Sequence, residues 1–147
     1  MEGWLEEVIE QAKFSTCQRS KCGSIIVKDN EIIGQGFNSP TANLESQRRC
    51  KNRKLSERFK SDRTCCVHAE QRAIMDALRR NPIKITGSVL YFIRLDSNNR
   101  PEVAGEPYCT ICSKMALDTG VAGFALWQND SWKIYDTEKY NTLSYNY

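Results

Sequence analysis

His68 and Glu70 stand two residues apart, and much further along the chain come Cys109 and Cys112. These four residues carry the donor types of a metal site. Zinc is held by imidazole nitrogen and thiolate sulfur in tetrahedral geometry, and a catalytic site uses three protein ligands with the fourth position left for water. His68, Cys109 and Cys112 supply three such ligands, and His68 is the chain's single histidine. Two cysteines three apart share one side of a helical turn. A helix start there favours the thiolate form that a metal needs. Glu70 is not needed as a ligand. In the first turn of its own helix it is placed to take and return a proton beside a metal that lowers the pKa of water.

The flanking residues predict the elements that must position this group. Trp4, Leu5, Val8, Ile9 and Ala12 recur at helical spacing within 3–16. Ser24–Val27 and Ile32–Phe37 flank Lys28-Asp29-Asn30-Glu31, a hairpin with Asp-Asn at its turn. Ala69, Ala73, Ile74, Ala77 and Leu78 make the inner stripe of a helix over 68–80. Residues 87–93 form a continuously apolar strand covered on both faces. A third helix starts near Cys109 and stops at Gly120, a residue suited to the left-handed position after a helix end. Phe124–Trp127 and Trp132–Tyr135 are strands joined by a turn at 129–131. This order implies a three-layer α/β sandwich, a mixed central sheet of about five strands flanked by helices. Tyr135, Tyr140, Tyr145 and Tyr147 are expected to pack as a tail against the sheet or a neighbouring subunit.

At 147 residues the chain reads as one domain with a core that needs no disulfide staples. Net charge is +3, so nucleic-acid binding would need a local patch. The acidic start, Met1-Glu2-Gly3-Trp4-Leu5-Glu6-Glu7, is unlike an export or transit peptide. No stretch reaches the roughly 18 apolar residues of a membrane span. A cytoplasmic location without membrane partners is the expectation, and seven cysteines there read as thiols or metal ligands rather than disulfides.

The triplet and the cysteine pair resemble the zinc deaminase signature His-x-Glu … Pro-Cys-x-x-Cys. Ser15-Thr16-Cys17, Cys22–Asp29, Gly36-Phe37-Asn38 and Val67–Gln71 are most similar to the deoxycytidylate deaminase branch of the cytidine/deoxycytidylate deaminase superfamily. The resemblance runs over 3–128. It implies one catalytic zinc on His68, Cys109 and Cys112, with Glu70 moving protons during hydrolysis of a pyrimidine 4-amino group. It also implies substrate contacts from Asn38 and the backbone of Ala69, a nucleotide or nucleoside substrate of the dCMP type, and homo-oligomeric assembly. A base in RNA or single-stranded DNA is the alternative substrate, as is adenine or guanine.

Two features depart from the signature. Tyr108 stands between Pro107 and Cys109, where the family places proline directly before the first cysteine. The chain also returns through a hairpin after Trp127, as the nucleoside-type branch does. The polar stretch 41–66 reads as a basic insertion with Arg48, Arg49, Lys51, Arg53, Lys54, Arg58, Lys60 and Arg63. A solvated loop is the first reading of such a charge run, and a clamp for a nucleotide phosphate the second. Cys22, Cys50, Cys65 and Cys66 read first as buried thiols and second as ligands of a second, structural zinc.

Overall fold

The structure, a computed structural model, describes residues 2–49 and 66–147. After a short 3-10 turn, α1 spans Leu5–Lys13. The strands β1 (Lys21–Lys28) and β2 (Glu31–Phe37) form the expected hairpin. Asp29 and Asn30 both adopt positive φ at its turn, a conformation that Asp and Asn tolerate better than most residues. A two-residue strand β3 (Ser39–Pro40) pairs antiparallel with β4 (Cys66–Val67). Then follow α2 (Ala69–Arg80), β5 (Val89–Leu95), α3 (Thr110–Asp118), β6 (Gly123–Trp127), β7 (Trp132–Asp136) and α4 (Thr137–Ser144).

Five strands make the main sheet in the order β2-β1-β5-β6-β7. Only β5 and β6 run parallel, joined by the α3 crossover; the other pairs are antiparallel. The sheet is thus mixed, and the last strand returns as a hairpin. Side chains alternate across it, as a period of two demands. Ile26, Leu90, Phe92, Phe124 and Leu126 face α2, α3 and α4. Ile25, Val27, Tyr91, Ile93, Ala125 and Trp127 face α1 through Val8 and Ala12. These central strands are apolar on both faces because both faces are covered.

The sequence reading misses α4. Its stripe is interrupted by polar residues, and the buried Ser144 and Thr137 give no apolar signal. The start is nonetheless encoded: the Asp136 carboxylate accepts hydrogen bonds from the N–H groups of Glu138 and Lys139. Tyr135 and Tyr140 are buried in the core and Phe124 stacks on Tyr140 at 4.0 Å, whereas Tyr145 and Tyr147 are exposed. Other boundaries move by a few residues: α1 stops at Lys13, β1 begins at Lys21 and β5 continues to Leu95.

The helix that begins beside His68 lies unusually close to the hairpin. A Cβ on Gly36 would sit 2.7 Å from the Ala69 carbonyl oxygen and 2.7 Å from the Ala73 nitrogen, and one on Gly34 would sit 2.7 Å from the Ala77 Cβ. Glycines on β2 and alanines on α2 therefore allow near backbone-to-backbone contact. Gly36→Ala should lower stability by about 1–3 kcal/mol through overpacking, read as a reduced urea midpoint at unchanged slope. A midpoint equal to that of the parent protein would mean α2 can shift freely.

Candidate active site

His68 directly precedes α2, and Cys109 directly precedes α3. Both helix starts lie at the same end of the sheet: Ala69 packs on Gly36 near the end of β2, and that end of β2 lies level with the end of β5, since Gly23 pairs with both Phe37 and Ile93. The side chain of Gln71 accepts a hydrogen bond from the His68 N–H at 3.0 Å and fixes the first turn of α2. His68 Nδ1 lies 3.2 Å from Cys112 Sγ and 3.3 Å from Cys109 Sγ, and the two sulfurs are 2.9 Å apart. One ligand atom from each residue thus lies within 4.8 Å of the others. Among the described residues, no other group of three or more His, Cys, Asp or Glu side chains has this arrangement.

The donor set fits zinc: one imidazole nitrogen and two sulfurs, with the cysteines buried and the histidine half-buried. Cys109 is held down to about 5 by its hydrogen bond with Cys112, against burial, and with help from His68. Burial foremost, then the hydrogen bond with Cys109, pushes Cys112 the other way. A divalent cation would offset that cost, because a coordinated thiol is deprotonated.

Glu70 is 3% exposed. Burial first, then the negative charge of Cys109, raises its carboxyl to about 7. That value lies close to neutrality, where a group that both accepts and donates a proton works best.

Asn38, at the end of β2, is buried and held by three partners. Its Oδ1 accepts from Ser15 Oγ at 2.5 Å and from the Cys22 N–H at 2.9 Å, and its Nδ2 donates to the Ser20 carbonyl at 2.9 Å. One Nδ2 hydrogen is left without a partner among the described residues. Ala69 is fully buried at the first position of α2, with its backbone under Gly36.

Cys22 lies in the core beside α2 and α3, and Cys66 packs with Cys17. Cys50 and Cys65 fall outside the described residues, as do the basic residues from Lys51 to Arg63. Of that stretch, Arg48 pairs with Glu45 and donates to the Thr16 carbonyl at 2.8 Å, while Arg49 donates to the carbonyls of Ser46 and Arg48.

The sequence reading passes over Arg94. It lies on β5, donates to the Tyr108 hydroxyl at 2.9 Å and lies 3.8 Å from the Glu102 carboxylate. The available signal was one cation inside the otherwise apolar run Val89–Leu95.

A mixed sheet with paired helix starts that gather one imidazole and two thiols beside a buried carboxylate defines a metal-site α/β protein of the deaminase type. Residues 1–126 match the profile described as the cytidine and deoxycytidylate deaminase zinc-binding region, and the chain belongs to that family. A deoxycytidylate deaminase of Mycobacterium phage D29 is 32% identical over 118 residues, covering 75% of this chain and 80% of the relative. The fold is shared with the dCMP deaminase of cyanophage S-TIM5, crystallised in complex with dCMP and dUMP. That enzyme is 23% identical with a TM-score of 0.57, over 84% of this chain and 76% of the other. It is shared too with a cytidine deaminase from Burkholderia pseudomallei, 15% identical with a TM-score of 0.52, over 92% and 94% of the two chains. No helix among the described residues is long and apolar enough to cross a membrane.

Proposed function

We propose that the chain hydrolyses the 4-amino group of a cytosine nucleotide, deoxycytidylate first, to the uracil product and ammonia. The observation that carries this reading is the meeting of His68 Nδ1, Cys109 Sγ and Cys112 Sγ beside the buried Glu70. The relative in Mycobacterium phage D29, named for deoxycytidylate, supports the choice of substrate.

His68, Cys109 and Cys112 are the zinc ligands in this proposal. Zinc, when bound, supplies Lewis-acid chemistry that makes water a competent nucleophile near neutral pH. Glu70 takes a proton from the attacking water and delivers it to N3 of the pyrimidine. A second proton passes through the same carboxylate to the amine, the C4–N bond breaks and ammonia leaves. The C4 oxygen of the product comes from water. The spare Nδ2 hydrogen of Asn38 and the backbone of Ala69 contact the substrate. Cys22, Cys50, Cys65 and Cys66 are taken first as buried thiols and second as ligands of a structural zinc, which a stoichiometry of one zinc per chain would remove. Homo-oligomeric assembly and a cytoplasmic location complete the reading. The exposed Ile134 on the edge strand β7 agrees with a covered face.

Ammonia release by zinc-loaded protein is the direct test, over cytidine, deoxycytidine, their monophosphates, adenine and guanine compounds, and short RNA and DNA. Turnover of deoxycytidylate above the nucleosides is the expected result. Activity confined to oligonucleotides, or to purines, would overturn the proposal.

A further inference from the structure

Tyr108 and Arg94 form a unit that the proton chemistry above does not use. The segment after β5 folds back on the strand: Leu95 bridges to Pro101, and the Glu102 N–H donates to the Arg94 carbonyl at 2.8 Å. This return carries the chain to Tyr108, directly before Cys109. The Tyr108 ring meets Phe92 edge-on at 6.3 Å and Tyr147 at 5.6 Å. The Arg94 guanidinium lies 5.6 Å from the centre of the same ring and donates through Nη2 to its hydroxyl oxygen. Its one carboxylate partner among the described residues is Glu102, at 3.8 Å and with a side chain 41% exposed, so that ion pair is weak.

A tyrosine kept only for packing would need no cation on its hydroxyl. Here the oxygen is occupied as an acceptor, which leaves the O–H proton directed elsewhere. None of the described residues accepts it. A hydroxyl that accepts from a guanidinium is polarised and becomes a stronger donor. Tyr108 directly precedes Cys109, one of the three residues whose ligand atoms gather, which places it at the edge of the site. Arg94 on β5 and Tyr108 before α3 thus hold each other through one hydrogen bond and one ring contact.

Resting on the deaminase reading, we propose that Tyr108 is a specificity-determining hydrogen-bond donor to an acceptor oxygen of the bound substrate, with Arg94 the positioning residue that orients and polarises it. The acceptor is either a carbonyl or sugar oxygen of the nucleoside or an oxygen of the 5′-phosphate. In the family signature proline occupies the position before the first cysteine, so this donor is a feature of this chain's own wall.

The test is steady-state kinetics of Tyr108→Phe, Arg94→Gln and the double variant on deoxycytidylate and deoxycytidine, with bound zinc and thermal midpoint measured alongside. Tyr108→Phe keeps the ring contacts and removes only the hydroxyl. It should raise KM about tenfold while kcat changes little, the pattern of a lost binding contact. Arg94→Gln should raise KM to a similar degree, and the double variant should be no worse than either single change, because both act through one hydrogen bond. A rise for the nucleotide alone assigns the acceptor to the phosphate; a rise for both substrates assigns it to the nucleoside. Wild-type KM values in an active Tyr108→Phe protein would overturn this inference and leave the deaminase reading intact. An inactive parent protein would remove the deaminase reading, and this inference with it. Should Arg94→Gln fail to fold, Tyr108→Phe alone decides.

Discussion

Glu70→Gln should lower deamination about a hundred- to ten-thousand-fold, with bound zinc unchanged. The amide has the size and much of the hydrogen-bonding capacity of the carboxylate, but it cannot accept and return a proton. The structure adds a second expectation that separates chemistry from folding. Glu70 is almost wholly buried, and its carboxyl is pushed up to about 7 mainly by desolvation. Ionising it inside the fold is therefore costly, and a neutral amide of the same shape avoids that cost. The metal-free variant should be at least as stable as the metal-free parent, with an equal or higher thermal midpoint. Activity within tenfold of the parent would exclude Glu70 as the proton carrier. A fall in zinc content would instead make it part of the metal site.

The second large effect is expected from Cys112→Ser. Cys112 is fully buried, 3.2 Å from His68 Nδ1 and 2.9 Å from Cys109 Sγ. Serine is smaller and is not ionised at neutral pH, so two ligands remain where three are needed. Binding to the folded state alone stabilises by about 4 kcal/mol when free metal exceeds its Kd a thousandfold. For a chain of this size, that corresponds to roughly 10 °C in thermal midpoint. The variant should therefore melt about that far below the zinc-loaded parent, without detectable turnover. Chelation of the parent should bring its midpoint near that of the variant. A parent protein indifferent to chelation in both midpoint and activity would defeat the metal assignment.

Much of this site is legible in the sequence because metal chemistry limits residue choice. His68 is the single histidine, Cys109 and Cys112 have helical spacing, and Glu70 follows His68 closely. Their meeting could be inferred from donor chemistry alone. The central strands were equally legible, since burial on both faces leaves long apolar runs such as Val89–Ile93. Less legible features depend on contacts made across the fold. α4 is held partly by hydroxyls: Thr110 Oγ1 donates to Ser144 Oγ at 3.0 Å, and Ser113 Oγ donates to Asn141 Oδ1 at 2.7 Å. Such bonds leave no hydrophobic period. Arg94 carries no such signal, because its partner, Tyr108, lies beyond a turn whose return path follows from the Leu95–Pro101 bridge. The partners of Asn38 come from the α1–β1 connection, Ser15 and Ser20, and from Cys22 on β1. None of these follows from the Gly36-Phe37-Asn38 segment alone.

The close seat of α2 on β2 gives the site a mechanical property. A helix resting on long side chains can slide as those chains change rotamer. Here the cushion is absent, because Gly34 and Gly36 meet Ala69, Ala73 and Ala77 with little more than main chain between them. Hard-core repulsion rises far more steeply with displacement than rotamer energies do, so this contact is stiff in compression. Glu70 sits on the first turn of that helix and His68 immediately before it. The proposed proton carrier and a candidate metal ligand are thus mounted on the same incompressible bearing, and thermal motion that loosens the surrounding side chains should leave their separation nearly unchanged.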